Sequence, residues 1–422
     1  MLTIYRSNKA EWLAEVLGHE LRLNPPDLTE EVNIIVSTWP TSRWLGENIS
    51  LINNINGLVK FPFPGTYLKL LVRNTIGVDP KEKDPWEKQQ LIWYVLELLP
   101  ELIQREEAEI IKSCVEISQG IDDTINIKLW DLANNFAEVF DNYILYRPDI
   151  IKQWLRKNSK VGSKDVPSNK NSLWQEILFK LLHEKINKDP FCIQVEKAIK
   201  ILKHGDITEI DFPKNLFIYG LSSLAPLQID LIQALSKIID IKIYLISPCN
   251  DLWQRCEAKR LKFSNIGNTP PDRQWLLESP RLEAFLGRMG AEFQQLLEGS
   301  GEYQLGERNE EDIFSLTADI ASKKGNEPNL LEQLQQELLS TKSECILTKN
   351  KSDKSLLFLQ SPGKYRQVEL IRDQILNLLA NDKNLQPRDI LIMTPQIDSY
   401  APIFASVFNN VNSEITQLPW II

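Results

Sequence analysis

The run Val32-Asn33-Ile34-Ile35-Val36 leads into Ser37-Thr38-Trp39-Pro40-Thr41-Ser42-Arg43-Trp44, the strand-to-helix position at which a nucleotide-binding fold carries its phosphate cradle. Such a cradle needs glycines so that backbone N–H groups approach the phosphates, a lysine for the β/γ-phosphates and a Ser or Thr for magnesium, in the order GxxxxGK[ST]. The loop has neither Gly nor Lys, Pro40 lacks a backbone N–H, and Arg43 comes one helical turn late. Three readings stay open: an ordinary connection, a contact loop put to another use, or a nucleotide site that ignores the pattern. A catalytic magnesium would also need an acid at the end of a neighbouring strand. The candidate strands end Ile218-Tyr219-Gly220-Leu221-Ser222 and Leu245-Ile246-Ser247-Pro248-Cys249, without Asp or Glu.

Other chemistries are as poorly supplied. His19, His183 and His204 are far apart in sequence and fall on helical patterns, and no GxSxG nucleophile turn occurs. Asp149 with Glu176 and Lys180 has the residue types of a two-metal nuclease, but on helical sequence without the central strand pair. What remains suits single-stranded nucleic acid: Trp39, Phe61, Phe63, Tyr67 and the run Phe140-Asp141-Asn142-Tyr143-Ile144-Leu145-Tyr146-Arg147. Bases stack on aromatic faces, Arg and Lys hold phosphates, and carboxylates such as Glu138 and Asp141 accept from exocyclic amines. Core packing is the competing role for aromatics at helical spacing.

Lys plus Arg number 48 against 57 Asp plus Glu, a formal net charge of −9. This excludes a surface built throughout to coat nucleic acid and leaves room for a local groove. With 422 residues, 43% hydrophobic and 25% charged, the chain reads as an ordinary globular protein of two or three domains. The longest aliphatic run, Leu91 to Leu99, is broken by Glu97 and ended by Pro100, too short to cross a bilayer. The opening lacks the order of a signal peptide. Cys114, Cys192, Cys249, Cys256 and Cys345 are scattered without CxxC spacing. A cytoplasmic setting is expected, with no membrane partner, zinc site or disulfide framework.

The elements that must position these residues open as βαβα. Leu2 to Tyr5 is a short strand; Trp12, Leu13, Val16, Leu17 and Leu21 share one helical face; Val32 to Val36 is a buried strand; a helix follows through Trp44, Leu45, Ile49 and Ile52. This order favours a parallel sheet with ligands beyond the carboxyl ends of its strands. From about Thr66 to Gly205 helices dominate. Asp84-Pro85-Trp86-Glu87 carries a capping-box pattern before Leu91, Ile92, Val95, Leu96 and Leu99, and a second helix covers Leu129 to about Tyr146, before Pro148. Residues 156–172 read as an exposed basic loop. Strands return at Asn215 to Gly220 and Ile241 to Ile246, around a helix from about Pro226 to Ile239, as the same sheet resumed. Helical patterns cover Leu282 to Leu297 and Leu330 to Leu339. A further βαβ unit is expected from Leu356–Leu359, a helix over Val368–Leu379 and Ile390–Met393. The division is then residues 1–65 plus 206–250 as a first α/β domain, 66–205 as a helical insertion, 251–345 as a second, mostly helical insertion, and 346–422 as the start of another α/β domain, whose apolar ending suggests truncation.

Several motifs together resemble a known family. They are Leu2-x-Ile4-Tyr5-x-Ser7-Asn8, the Ser37-Thr38 loop before Trp44-Leu45, Phe61-Pro62-Phe63-Pro64, Phe140-Asp141-Asn142-Tyr143-x-x-Tyr146-Arg147-Pro148-Asp149, Phe217 through Leu224, Leu286-Gly287-x-x-Gly290, and Pro387-Arg388-Asp389-Ile390 followed by Ile397-Asp398-Ser399-Tyr400. In this order they resemble the N-terminal part of RecC, the gamma subunit of exodeoxyribonuclease V, over essentially the whole chain. The resemblance implies an α/β fold of degenerate superfamily 1 helicase-like (P-loop NTPase-like) type: a parallel sheet with large helical insertions, an inactive first motor-like domain and the start of a second.

It further implies a subunit without catalytic residues or cofactor of its own, in a heterotrimer with a RecB-like motor and nuclease and a RecD-like motor that use ATP and magnesium. Such an assembly works on double-stranded DNA ends in break repair and recombination. This subunit splits the duplex, channels the single strands and scans one of them for a Chi-like signal. By motif position the strand-contacting residues would be Ser37, Thr38, Trp39, Arg43, Phe63, Lys69, Glu138, Val139, Asp141 and Arg147. Pro40 and Arg43 stand where the family's best-known pattern has a small residue and an amide, and full members are much longer. Two alternatives accompany this expectation: a protein–protein scaffold without DNA contact, which suits the net charge, and an autonomous ATPase or nuclease with unrecognised motifs.

Overall fold

Leu2–Ser7 forms strand β1 with all six residues buried, as a strand covered on both faces requires. The computed structural model describes residues 1–27, 30–54, 57–116, 122–156, 173–204, 212–249, 288–298, 308–314, 325, 327–339, 347–348, 350–409 and 418–421. They belong to two units, Met1–Asn326 with Leu334–Ile346, and Glu327–Gln333 with Leu347–Ile422. In the first unit, β1 is followed by α1 (Ala10–Leu23), β2 (Val32–Ile35), α2 (Trp39–Asn53) and β3 (Val59–Lys60). Then come α3 (Pro64–Thr75), α4 (Lys88–Ile103), α5 (Glu109–Glu116), α6 (Asp122–Tyr146), α7 (Pro148–Leu155), α8 (Leu173–Ile186) and α9 (Phe191–His204). The sheet resumes with β4 (Asn215–Tyr219), α10 (Pro226–Leu235) and β5 (Asp240–Ile246), followed by α11 (Arg288–Glu298) and β6 (Arg308–Asp312).

The strand order is β3-β2-β4-β5-β1-β6, and every pair is parallel. Side chains alternate across it as the pleat demands. Ile4, Ile35, Leu216, Ile218, Ile241 and Ile243 join one core with the helical insertion and α10, while Tyr5, Ile34, Val36, Phe217, Tyr219 and Tyr244 join another with α1 and α2. The expected βαβα opening and the resumption of one sheet after a helical stretch are both present. β3 and β6 are additions. β6, Arg-Asn-Glu-Glu-Asp, has little strand propensity. It pairs with β1 because Arg6, 6% exposed, reaches across to Asp312 at 2.7 Å and Glu310 at 3.0 Å.

Several boundaries move. α2 starts at Trp39, so Trp39 to Ser42 is helix rather than loop: Thr38 Oγ1 accepts from the Thr41 N–H at 3.3 Å, and Pro40 fits the first turn. α4 starts at Lys88, not at Asp84. Asp84 Oδ1 accepts from the Trp86 N–H at 3.0 Å and closes a separate turn, which seats Trp86 on Phe179 with ring centroids 5.0 Å apart. α6 begins before Leu129 and ends at Tyr146, where Pro148 opens α7, and α10 stops at Leu235, short of Ile239. The basic loop from 157 to 172 and the start of the 282–297 helix lie outside the described residues.

α12 (Leu330–Leu339) begins in the second unit, which also holds α13 (Lys364–Asn381) and α14 (Ile397–Asn409). Val368 and Ile375 form its core with Phe404, Val407, Phe408 and Leu418. The expected βαβ unit is absent: Leu356–Leu359 and Ile390–Met393 are not strands, and Phe358 is 93%, Leu391 81% and Met393 84% exposed. A parallel strand needs a neighbour's N–H and C=O groups and cover on both faces, and no strand occurs among the described residues of this unit. None of the described helices is long and apolar enough to cross a membrane.

Candidate nucleic-acid interface

The segment after β2 presents Ser37 and Thr38 as exposed hydroxyls and then turns into α2, whose first residue, Trp39, is 76% exposed. The Thr38 cap fixes this turn, and the Ser42 Oγ–H donates to the Trp39 carbonyl at 2.7 Å. Arg43, on the outer face of the same helix, is tied only loosely to Glu47 at 3.4 Å, a contact of little energetic weight. The Val36 N–H donates to the Pro62 carbonyl at 3.2 Å, which brings the Phe61-Pro62-Phe63-Pro64 segment alongside the end of β2. Phe61 packs on the sheet core, whereas Phe63 stands 40% exposed at the N-cap of α3, whose first helical residue is Pro64.

α3 carries the connection on to α6. Gly65, Thr66, Lys69, Leu70 and Arg73 of α3 face Asp141, Ile144 and Leu145 of α6 across a cavity of about 410 Å³. Lys69 is held by Glu87 at 3.2 Å and lies over the Phe191 ring, 5.8 Å from its centroid. Burial pushes the Asp141 carboxyl above its ordinary range; nearby Lys69 opposes that shift, and Glu87 and Asp84 add to it. Glu138 is exposed and paired with Lys88 at 2.7 Å, Val139 is 37% exposed, and Arg147 stands exposed at the N-cap of α7.

Of the residues expected from sequence, Ser37, Thr38, Trp39 and Phe63 therefore lie on the two segments joined by the Val36–Pro62 backbone hydrogen bond, and Lys69 and Asp141 share one cavity. Arg43, Glu138, Val139 and Arg147 are accessible but do not line that cavity. Two aromatic candidates turn out to be core: Tyr67 is 9% exposed, with burial pushing its hydroxyl up to about 12, and Phe140 is 1% exposed against Phe179 and Trp154.

Sequence reasoning missed Arg73 and took Asp84 for a helix cap. Asp84 is 3% exposed, its Oδ2 has no hydrogen-bond partner among the described residues, and that carboxyl sits 3.7 Å from Arg73 and 3.9 Å from Lys69. The nuclease-like set is not assembled as such: Glu176 pairs with Lys180 within α8 at 2.7 Å, and Asp149 is exposed in the first turn of α7.

Together these features define a parallel α/β domain with a large helical insertion, in which the junction after the second strand bears exposed hydroxyl and aromatic side chains. The family model described as RecC, N-terminal domain, matches residues 2–341. The chain belongs to that family. It is 26% identical to the RecBCD enzyme subunit RecC of Escherichia coli over all of this chain and 39% of that protein, and 23% identical to that of Haemophilus influenzae over all of this chain and 40% of that protein. With the same subunit of Mycobacterium tuberculosis the identity is 26%, over 96% of this chain and 36% of that protein. The chain thus spans about two fifths of the length of these curated relatives.

Proposed function

We propose that this chain is the strand-channelling, non-catalytic part of a cytoplasmic helicase–nuclease assembly acting on double-stranded DNA ends in break repair and recombination. In this reading the sheet is a helicase-like motor domain that has lost its ATPase elements. The motors, the nuclease and their ATP and magnesium belong to RecB-like and RecD-like partners. One single strand runs over Ser37, Thr38, Trp39 and Phe63 towards Lys69 and Asp141, with Arg43, Glu138, Val139 and Arg147 along its path, and is scanned there for a Chi-like signal.

The observation that carries this reading is the exposure of Trp39 and Phe63 on one junction. A fold at liberty to bury large aromatic side chains keeps these two in solvent at the carboxyl end of its sheet. They offer stacking faces, which serve a strand of any sequence, while Arg43 and Arg147 offer phosphate contacts.

The test is binding of a labelled single-stranded oligonucleotide to the full chain across a salt series, with ATP hydrolysis followed in parallel. The reading expects binding that weakens with salt at a slope of about −0.7 per phosphate contact, and no turnover. A flat salt response would favour the protein scaffold. ATP turnover abolished by Arg43→Ala or Thr41→Ala would return the loop to nucleotide chemistry.

A further inference from the structure

At the opposite, amino end of the sheet, where β1 and β5 start, a second cavity of about 900 Å³ opens between α7, α9 and α10. That volume lies in the range of small-molecule sites. One wall is apolar, made of Val195, Ile199, Leu227 and Ala234. The charged side chains are three lysines and two carboxylates, with Gln233, Ser236 and the Met1 ammonium, which donates to the Ser236 carbonyl, beside them. Lys152 is spoken for by Glu196 at 2.9 Å, whereas Lys203 and Lys237 make no salt bridge or hydrogen bond among the described residues. On α10, Asp230 and Gln233 stand three residues apart and so share a helix face. Asp230 is half-buried and makes no hydrogen bond among the described residues, its charged neighbours being Lys152 and Lys203, and the Gln233 Nε2 is buried without an acceptor among them. Leaving such groups unpaired costs free energy that a ligand could recover.

An unpaired acceptor beside an unpaired donor complements a ligand edge that offers a donor beside an acceptor. The amino group and adjacent ring nitrogen of adenine and of cytosine have that pattern. The apolar wall suits the flat ring, and the Lys203 and Lys237 ammonium groups suit a phosphate. We propose that this cavity binds a nucleotide unit carrying an amino-substituted base, with the base edge on Asp230 and Gln233 and the phosphate on Lys203 and Lys237. The site is independent of the strand interface at the other end of the sheet. It calls for binding alone, since its lining holds no glycine-rich phosphate cradle. The nucleotide could be free or part of a strand.

The test is calorimetric titration of the full chain with AMP, CMP, UMP, adenosine and inorganic phosphate. AMP and CMP should bind more tightly than UMP by on the order of tenfold, because UMP turns a carbonyl towards Asp230. AMP should also bind more tightly than adenosine. Asp230→Ala should erase the preference over UMP, and the exposed pair Lys203→Ala with Lys237→Ala should erase the advantage of AMP over adenosine without altering the melting temperature. A deoxyadenosine oligonucleotide that displaces AMP, with the same dependence on the two lysines, assigns the unit to a strand, and failure to displace assigns a free nucleotide. Equal affinity for AMP, CMP and UMP, AMP binding indifferent to these substitutions, or no binding at millimolar AMP overturns the proposal.

Discussion

Trp39→Ala removes an indole that is 76% exposed while keeping the backbone that α2 needs. Thr38 still caps Thr41, and the residue 39 carbonyl still accepts from Ser42. A buried aromatic side chain covers roughly 150–250 Å². The covered quarter of Trp39 is then about 40–60 Å², which at ~25 cal/mol per Å² amounts to about 1–1.5 kcal/mol as an upper bound on lost stability. Stacking one base on an aromatic side chain is worth about 1–3 kcal/mol, or roughly 5–150-fold in Kd. The variant should therefore stay folded at the assay temperature and yet bind a labelled oligonucleotide, followed by fluorescence anisotropy, at least about fivefold more weakly. Because the indole carries no charge, the slope of log Kd against log salt should not change. Arg43→Ala should instead lower its magnitude by about 0.7, the increment for one phosphate contact on a single strand. An unchanged Kd for Trp39→Ala, or a loss seen only when the melting transition overlaps the assay temperature, would refute the stacking argument.

Arg6→Leu leaves Glu310 and Asp312 without their buried partner. Because both carboxylates keep some solvent, the cost should be on the order of 2 kcal/mol, below the range for a fully buried pair, measured by urea unfolding, with loss of amide-exchange protection in β6. Burial raises the Asp141 carboxyl, so the folded state holds that proton more tightly than the unfolded one. Its ionised form therefore costs stability at neutral pH, and the cost disappears as pH falls through the folded pKa. Asp141→Asn should accordingly melt higher than the parent at pH 7, with the gain shrinking in acid; an equal gain at both pH values would contradict this. Phe358→Lys with Leu391→Lys replaces two exposed apolar side chains of the second unit, so light scattering on concentration should fall and the melting temperature should hold.

The first unit was readable from sequence where the signal is local. Apolar runs at 2–5, 32–36, 215–219 and 241–246 needed no distant partner to announce buried strands, and all four occur. β6 could not be read that way. Its charged sequence becomes a strand only through Arg6, which is 306 residues away from Asp312 along the chain. The second unit fails in the other direction: Leu356–Leu359 and Ile390–Met393 have strand composition, but a strand exists only within a sheet. In the candidate interface, the residue types were legible and their partition was not. Asp84 looked like a helix cap because its position before Pro85 fits one. The helix start three residues later, set by the Glu87 carbonyl accepting from Gln90 and Leu91, instead turned its carboxyl towards Lys69 and Arg73.

The helix phase of α6 shows how that partition arises. At about 100° per residue, Phe140 sets the inward direction, being 1% exposed in the core. Tyr143 lies about 60° from it and still packs, its ring 6.2 Å from Trp154. Tyr146 lies about 120° away and is 56% exposed. Asp141, about 100° round in the other sense, comes out half-buried at the cavity edge, and Glu138, at about 160°, faces solvent. A single buried anchor thus sorts four neighbouring residues into those that hold the helix in place and those that can touch a strand. Phase alone does not separate Tyr67 from Phe63, which stand only about 40° apart: Tyr67, inside α3, is 9% exposed, and Phe63, at its N-cap, is 40% exposed. Aromatic content along these segments says little about binding until one core residue on each helix has fixed which way the others point.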